Sequence, residues 1–192
     1  MMISTNDFKT GQTIKFNNHI YQVIEFLHVK PGKGAAFVRS KLKNLRTGGI
    51  IEHTFNSGIK VETALIDKRK LKFSYISYEK YVFIDETTYE QIEIPQKILK
   101  GAVKYLVEEM VVEVVFYDEK EILGVSLPDK ISLKVVQTDP GVVGDTTKKT
   151  TTYKDAVLET GLTVKVPIFI AQDETIIVNT ETGQYVSRDT SK

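Results

Sequence analysis

Lys30-Pro31-Gly32-Lys33-Gly34-Ala35-Ala36-Phe37-Val38-Arg39-Ser40-Lys41-Leu42-Lys43-Asn44-Leu45 is the stretch on which the fold turns. From Ala36 onward it alternates. Phe37, Arg39, Lys41 and Lys43 fall on one side, and Ala36, Val38, Ser40, Leu42 and Asn44 on the other. This is the period-two pattern of a strand with one buried face, and it places a stripe of cations on the opposite face. Upstream, His19 to His28 is dense in the β-formers Ile20, Tyr21, Val23, Ile24, Phe26 and Leu27. Pro31-Gly32 between these two runs is a strong turn signal. A hairpin with Lys33 in its exposed loop is therefore predicted. Downstream, Thr47-Gly48-Gly49 turns the chain into a further strand from Ile50 to Phe55. Short strands at this spacing predict a small barrel.

Working outward, the middle of the chain reads as strands over Leu71 to Ser77, Tyr81 to Asp85 and Tyr89 to Ile94. Pro95 then suits the first turn of a helix, where its missing N–H is no loss. Ile98, Leu99, Ala102, Val103, Leu106 and Val107 follow at helical spacing. Strands return at Val111 to Tyr117 and Ile122 to Leu127, and Pro128-Asp129 is a natural boundary. The last third opens with a strand from Ile131 to Thr138 and breaks at Asp139-Pro140-Gly141. The polar run Gly144 to Thr152 has nothing to bury and reads as a mobile surface loop. Strands around Val164 to Ile170, Thr175 to Val178 and Tyr185 to Arg188 follow, the last two joined at Thr182-Gly183.

The 192 residues are 41% hydrophobic and 27% charged, the balance of a soluble globular chain. There is no cysteine, which excludes disulfides, thiolate metal sites and cysteine nucleophiles. The first residues carry no apolar stretch of a signal peptide, and no run reaches the roughly 20 apolar residues of a membrane span. A cytoplasmic protein is expected. The net charge of +1 hides an asymmetry: residues 1–63 hold nine Lys/Arg against four acids. That leaves +5 in this third and −4 in the remainder. Such an asymmetry is compatible with a nucleic-acid-facing end and equally with chance.

No catalytic constellation is visible. His19, His28 and His53 lie in or at the ends of predicted strands, without the spacing of a metal site. Glu108-Glu109 and Asp118-Glu119-Lys120-Glu121 fall at a helix end and a strand turn, where solvation explains them. No glycine pattern matches a phosphate-cradling loop. No enzyme, cofactor or metal is expected. Lys33 stands out, because its flanking glycines keep its neighbours small and let the backbone turn tightly. A lysine so presented suits phosphate contact or covalent modification, and it equally suits a merely soluble turn.

Lys30-Pro31-Gly32-Lys33-Gly34-Ala35-Ala36-Phe37-Val38-Arg39 closely resembles the signature loop of the bacterial elongation factor P family. Ser4-Asn6-Asp7-Phe8 with Gly11 is similar to the family's start, and Thr138-Asp139-Pro140-Gly141 with Gly144-Asp145-Thr146 to the entry of its third domain. Glu159-Thr160-Gly161, Val164-Val166-Pro167-Phe169 and the ending Gly183-Tyr185-Val186-Ser187-Arg188 extend the match along essentially the whole chain. The pattern departs at Thr147, at Tyr153-Lys154-Asp155-Ala156 and at Glu181, and leaves the tip untouched.

The resemblance implies a mainly β fold of three small barrels in a row, with one short helix in the middle domain. An SH3-like, KOW-like domain over 1–63 would carry the lysine-tipped hairpin. OB-type domains over 64–127 and 128–192 would follow. It implies a cytoplasmic, monomeric translation factor that mimics a tRNA in shape. Such a factor binds both subunits of the ribosome between the peptidyl and exit sites, contacts peptidyl-tRNA and ribosomal RNA, and relieves stalling at consecutive prolines. Carried over by position, Lys33 is the tip that a modifying enzyme extends, and Pro31, Gly32 and Gly34 shape its loop. Lys30, Arg39, Lys41, Lys43 and Arg188 become tRNA or ribosomal RNA contacts. Tyr185 is such a contact or a core aromatic. Gly144, Asp145 and Thr146 match the loop near the exit-site codon. The competing reading is a general OB-type binder of single-stranded nucleic acid. It needs aromatic platforms interleaved with cations, whereas residues 64–127 and 128–192 carry −3 and −1.

Overall fold

A computed structural model of the chain describes residues 1–140 and 152–191. Its described residues are mainly β. The first sheet is built from β1 (Met2–Ser4), β2 (Thr13–Phe16), β3 (His19–Val29), β4 (Phe37–Asn44), β5 (Ile50–Asn56) and β6 (Lys60–Thr63), in the order β1-β6-β2-β3-β4-β5. Asn17 and Asn18, with φ of 48° and 62°, make the two-residue turn that joins β2 to β3. Positive φ at both positions is what a tight hairpin requires, and asparagine tolerates it. The β3–β4 ladder runs from Tyr21 opposite Asn44 to Val29 opposite Phe37, with a register shift between Val23 and Glu25. Ile24 is the extra residue of that bulge. β4 alternates as the sequence predicts, with Val38, Ser40, Leu42 and Asn44 buried. Phe8, Ile14, Tyr21, Val23, Val38, Leu42, Phe55 and Val61 form the core beneath it.

The second sheet takes β7 (Ile66–Ser77), β8 (Lys80–Asp85), β9 (Gln91–Pro95), β10 (Val111–Tyr117) and β11 (Glu121–Ser126), in the order β11-β10-β7-β8-β9. The helix between β9 and β10 is shorter than the apolar spacing predicts. α1 covers only Gln96–Leu99, with Pro95 as its N-cap at ψ 145° rather than inside its first turn. Lys100 then takes φ 51°, and Lys100–Lys104 continues as a 3-10 turn. Leu99 and Leu106 are buried all the same, so the apolar pattern marks burial correctly while the backbone reaches it through turns.

The third sheet takes β12 (Lys130–Thr138), β13 (Tyr153–Leu158), β14 (Thr163–Pro167), β15 (Thr175–Asn179) and β16 (Tyr185–Arg188), in the order β14-β13-β12-β15-β16. β12 pairs β15 through Lys130 to Lys134 and β13 from Val135 to Thr138, changing partners along its length. β13 is a strand the sequence reading does not separate from the polar run before it. Ile131, Leu133, Val135, Ala156, Leu158, Val164, Val166, Ile170, Ile176 and Val178 form this core. At the expected turn after β15, Gly183 has φ +70°, and a Cβ there would meet Tyr105 Oη at 3.0 Å.

Contacts cluster the chain into two compact units, Met1–Arg69 with Val114–Gly124 and Lys70–Glu113 with Val125–Lys192. In the first unit, Ile20, Ala64 and Leu123 share a small buried cluster flanked by Leu45, Ile66, Val115 and Tyr117. Beside it Arg46 grips Glu121, Nε to Oε1 at 2.7 Å and Nη2 to Oε2 at 2.9 Å, while Nη1 donates to Asn18 O at 3.0 Å. In the second unit, Leu71, Phe73, Val82, Phe83, Ile94 and Val112 are buried. No helix among the described residues is long and apolar enough to cross a membrane.

Candidate functional site

The connection between β3 and β4 carries the lysine. Lys30, Gly32, Lys33 and Gly34 are exposed, and Pro31 is half-buried. Neither Lys30 nor Lys33 makes a hydrogen bond or ion pair among the described residues. Gly34 takes φ +102°, a region closed to most L-residues, with open space where a Cβ would stand. Gly32 is not in that region and is equally open. The loop thus needs a glycine after the lysine for its backbone path, whereas the one before it leaves room. The ladders that hold the loop run to its base: Val29 pairs with Phe37, and Phe37 with Asn56 on β5.

Cross-strand register shows what surrounds the cationic stripe. Arg39 stands between Leu27 and Thr54, Lys41 between Glu25 and Glu52, and Lys43 between Gln22 and Ile50. Lys41 Nζ lies 3.0 Å from Glu25 Oε2. That hydrogen bond, and then the charge of Glu25, holds the Lys41 ammonium above its ordinary range. The stripe is therefore two available cations, Arg39 and Lys43, about a third that is already partnered. Neither Arg39 nor Lys43 forms an ion pair among the described residues.

At the C-terminal end, Arg188 is engaged within its own sheet. Its guanidinium lies 4.6 Å over the Phe169 ring, Nη2 donates to Phe169 O at 2.9 Å, and Nε sits 3.4 Å from Glu174 Oε2. Tyr185 is half-buried, packs against the third core and lines an open cavity of about 790 Å³ with Tyr153 and Lys165. Gly144, Asp145 and Thr146 lie outside the described residues, as does most of the polar run that contains them. Among the described residues no group of three or more His, Asp or Glu side chains is placed to hold a metal ion. His53 packs against Phe16 and Phe55, with ring centroids 4.6 and 4.4 Å away and interplanar angles of 47° and 70°, tilted and edge-on rather than stacked. Sequence reading overlooks this grouping because β2 and β5 are far apart along the chain.

Three family models match in order: the elongation factor P KOW-like domain over residues 4–61, the elongation factor P OB domain over 66–125, and the elongation factor P C-terminal domain over 131–188. The chain belongs to the elongation factor P family. Members of the elongation factor P family are close at the sequence level. An elongation factor P of Phytoplasma australiense is 66% identical over 191 residues, covering 100% of both chains. Another, of Onion yellows phytoplasma (strain OY-M), is 61% identical over 191 residues with the same full coverage. Among solved structures, the eukaryotic translation initiation factor 5A from Methanococcus jannaschii is 25% identical at a TM-score of 0.51, covering 67% of this chain and 92% of its own. As an elongation factor P family member, the protein is a translation elongation factor and not a catalytic enzyme.

Proposed function

We propose that the protein binds the ribosome between the peptidyl and exit sites, steadies peptidyl-tRNA and stimulates peptide-bond formation at consecutive prolines. The observation that carries this reading is Lys33, an exposed lysine without a partner among the described residues, on a loop anchored by ladders of β3, β4 and β5. A rigid arm with a long flexible tip suits a positional role. Orienting two reactants lowers a barrier without any acid or base from the factor. A modifying enzyme acting on Lys33 would lengthen that tip, and the lysine's exposure leaves it open to such an enzyme.

In this reading Lys30, Arg39 and Lys43 meet phosphates of tRNA or ribosomal RNA, as sequence-blind positioning contacts. Lys41 joins them only by exchanging its bond to Glu25 for one to phosphate. Gly144, Asp145 and Thr146 approach the exit-site codon. Arg188 takes a phosphate if it leaves Glu174, and Tyr185 supports it from the core side. The protein works as a cytoplasmic monomer of three domains, over 1–63, 64–127 and 128–192, with both ribosomal subunits as partners.

The test is the synthesis rate of a peptide with three consecutive prolines in a reconstituted translation system. Factor purified from its native host is compared with Lys33→Ala and with no factor. The native protein accelerates synthesis and Lys33→Ala does not. If the native protein gives no acceleration, with mass spectrometry verifying the state of Lys33, the reading is overturned and a general RNA binder takes its place.

A further inference from the structure

An aromatic cavity lies away from the arm tip. In the first sheet β5 is an edge strand, while β2 is flanked by β6 and β3, so β2 and β5 share no ladder. Side chains fill the gap between them. Phe16 from β2 lies 4.6 Å from His53 and 5.2 Å from Phe55, both on β5. Over this aromatic group opens a cavity of about 390 Å³ that includes Lys15, Asn17, Asn56 and Lys60 in its lining. Phe55, 4% exposed, closes the floor, and the half-buried Phe16 and His53 keep ring surface at the wall. Lys60 has no ion-pair partner among the described residues, and Lys15 reaches Glu62 only at 4.0 Å.

We propose that this cavity binds one unpaired RNA nucleotide, its base stacked on the His53 ring with Phe16 against its edge, and its phosphate held by Lys60 and Lys15. The Phe16 and His53 rings are inclined at 47°, so one offers its face to a planar base while the other closes on the base's edge; splayed-out single-stranded bases are recognised by stacking on aromatic and histidine side chains. Lys15 and Lys60 outnumber Glu62, the one acid in the lining, and leave the net positive charge that a phosphate seeks and an apolar ligand would not. Asn17 and Asn56 offer amide donors and acceptors to a base edge. The volume is near the lower end of small-ligand sites, enough for one nucleotide and too little for a duplex. None of these residues belongs to the lysine-tipped loop, so the site stands independently of the tip's role.

The test titrates the isotope-labelled full chain with single-stranded uridine and adenosine tetranucleotides, following histidine ring signals by NMR. The His53 signals shift saturably, and at lower RNA concentration than any change in those of His28 at the arm. His53→Ala and Lys60→Glu each weaken binding by about tenfold or more, the order lost with a base stack or a phosphate contact. Unfolding midpoints check that both variants fold, and Lys60→Glu changes only an exposed side chain. Lys33→Ala binds the tetranucleotides as the parent does, so this result and the outcome of the proline assay are separable. Absence of a saturable His53 shift at millimolar RNA overturns the proposal. So does undiminished binding by Lys60→Glu, or equal affinity for a paired duplex.

Discussion

Replacing Glu121 by glutamine will weaken the first compact unit in a pH-dependent way. The perturbation keeps the side chain's shape and removes the charge that faces Arg46. That pair is bidentate, at 2.7 and 2.9 Å, with a third guanidinium bond to Asn18 O at 3.0 Å. Forked geometry of this kind is the strong form of a surface ion pair. The side chains are, however, 34% and 44% exposed, so solvent screens them. The pair is then worth about 1 kcal/mol, the upper end for exposed pairs. In a chain of this size, about 1 kcal/mol moves the unfolding midpoint by roughly 2–4 °C. The hydrogen bond from Arg46 holds the Glu121 carboxyl below the usual carboxylate range; burial opposes this and the Arg46 charge reinforces it. A group depressed in the folded state stabilises above its unfolded pKa of about 4.3 and loses that contribution as pH falls through the folded value. The gap between parent and Glu121→Gln should thus be full at pH 7 and close progressively below about pH 4.3. Thermal unfolding of the parent, Arg46→Ala, Glu121→Gln and the double variant isolates the coupling. A coupling under about 0.2 kcal/mol at pH 7, or a gap indifferent to pH, would refute the reasoning.

Two further outcomes follow from the arm. In salt titrations of ribosome or RNA binding, Arg39→Ala and Lys43→Ala should each lower the log–log slope by about 0.7–0.9. Lys41→Ala should change it by less than half as much, because Glu25 already neutralises that lysine; equal effects for all three would contradict the partnered state. Gly34→Ala should strain a backbone held at φ +102°, at a local cost of about 1 kcal/mol or more, whereas Gly32→Ala should be tolerated. Backbone NMR of the loop and the proline assay would register the difference, and equal behaviour of the two variants would count against the described loop path.

The arm was legible because its signals are local. Alternation in β4 set the buried face, and Pro31-Gly32 with two glycines around Lys33 announced an exposed tip. The short strands β1, β2 and β6 were not legible, since three or four residues carry too little periodicity and exist by pairing with distant partners. β13 was hidden by the threonine-rich run before it, although Ala156 and Leu158 are its buried positions. The helix was overextended because apolar spacing cannot register the positive φ at Lys100. The stripe's partial neutralisation depends on register across three strands, including a bulge at Ile24 that no local pattern reveals. The aromatic cavity is likewise a product of the sheet's curl, which brings Phe16 to His53.

The bulge at Ile24 also governs how this arm can change length. Each residue pair added to β3 and β4 would advance the loop by about 3.4 Å and turn both faces over, because successive side chains point oppositely. Only additions of two pairs, about 6.8 Å, would keep Arg39 and Lys43 on their present side. Deleting Ile24 alone would remove the offset and invert the relation between the arm's outer half and the barrel. Reach and orientation are therefore coupled in discrete steps. A tip that must meet a target at fixed depth can be adjusted between those steps only through its side chain.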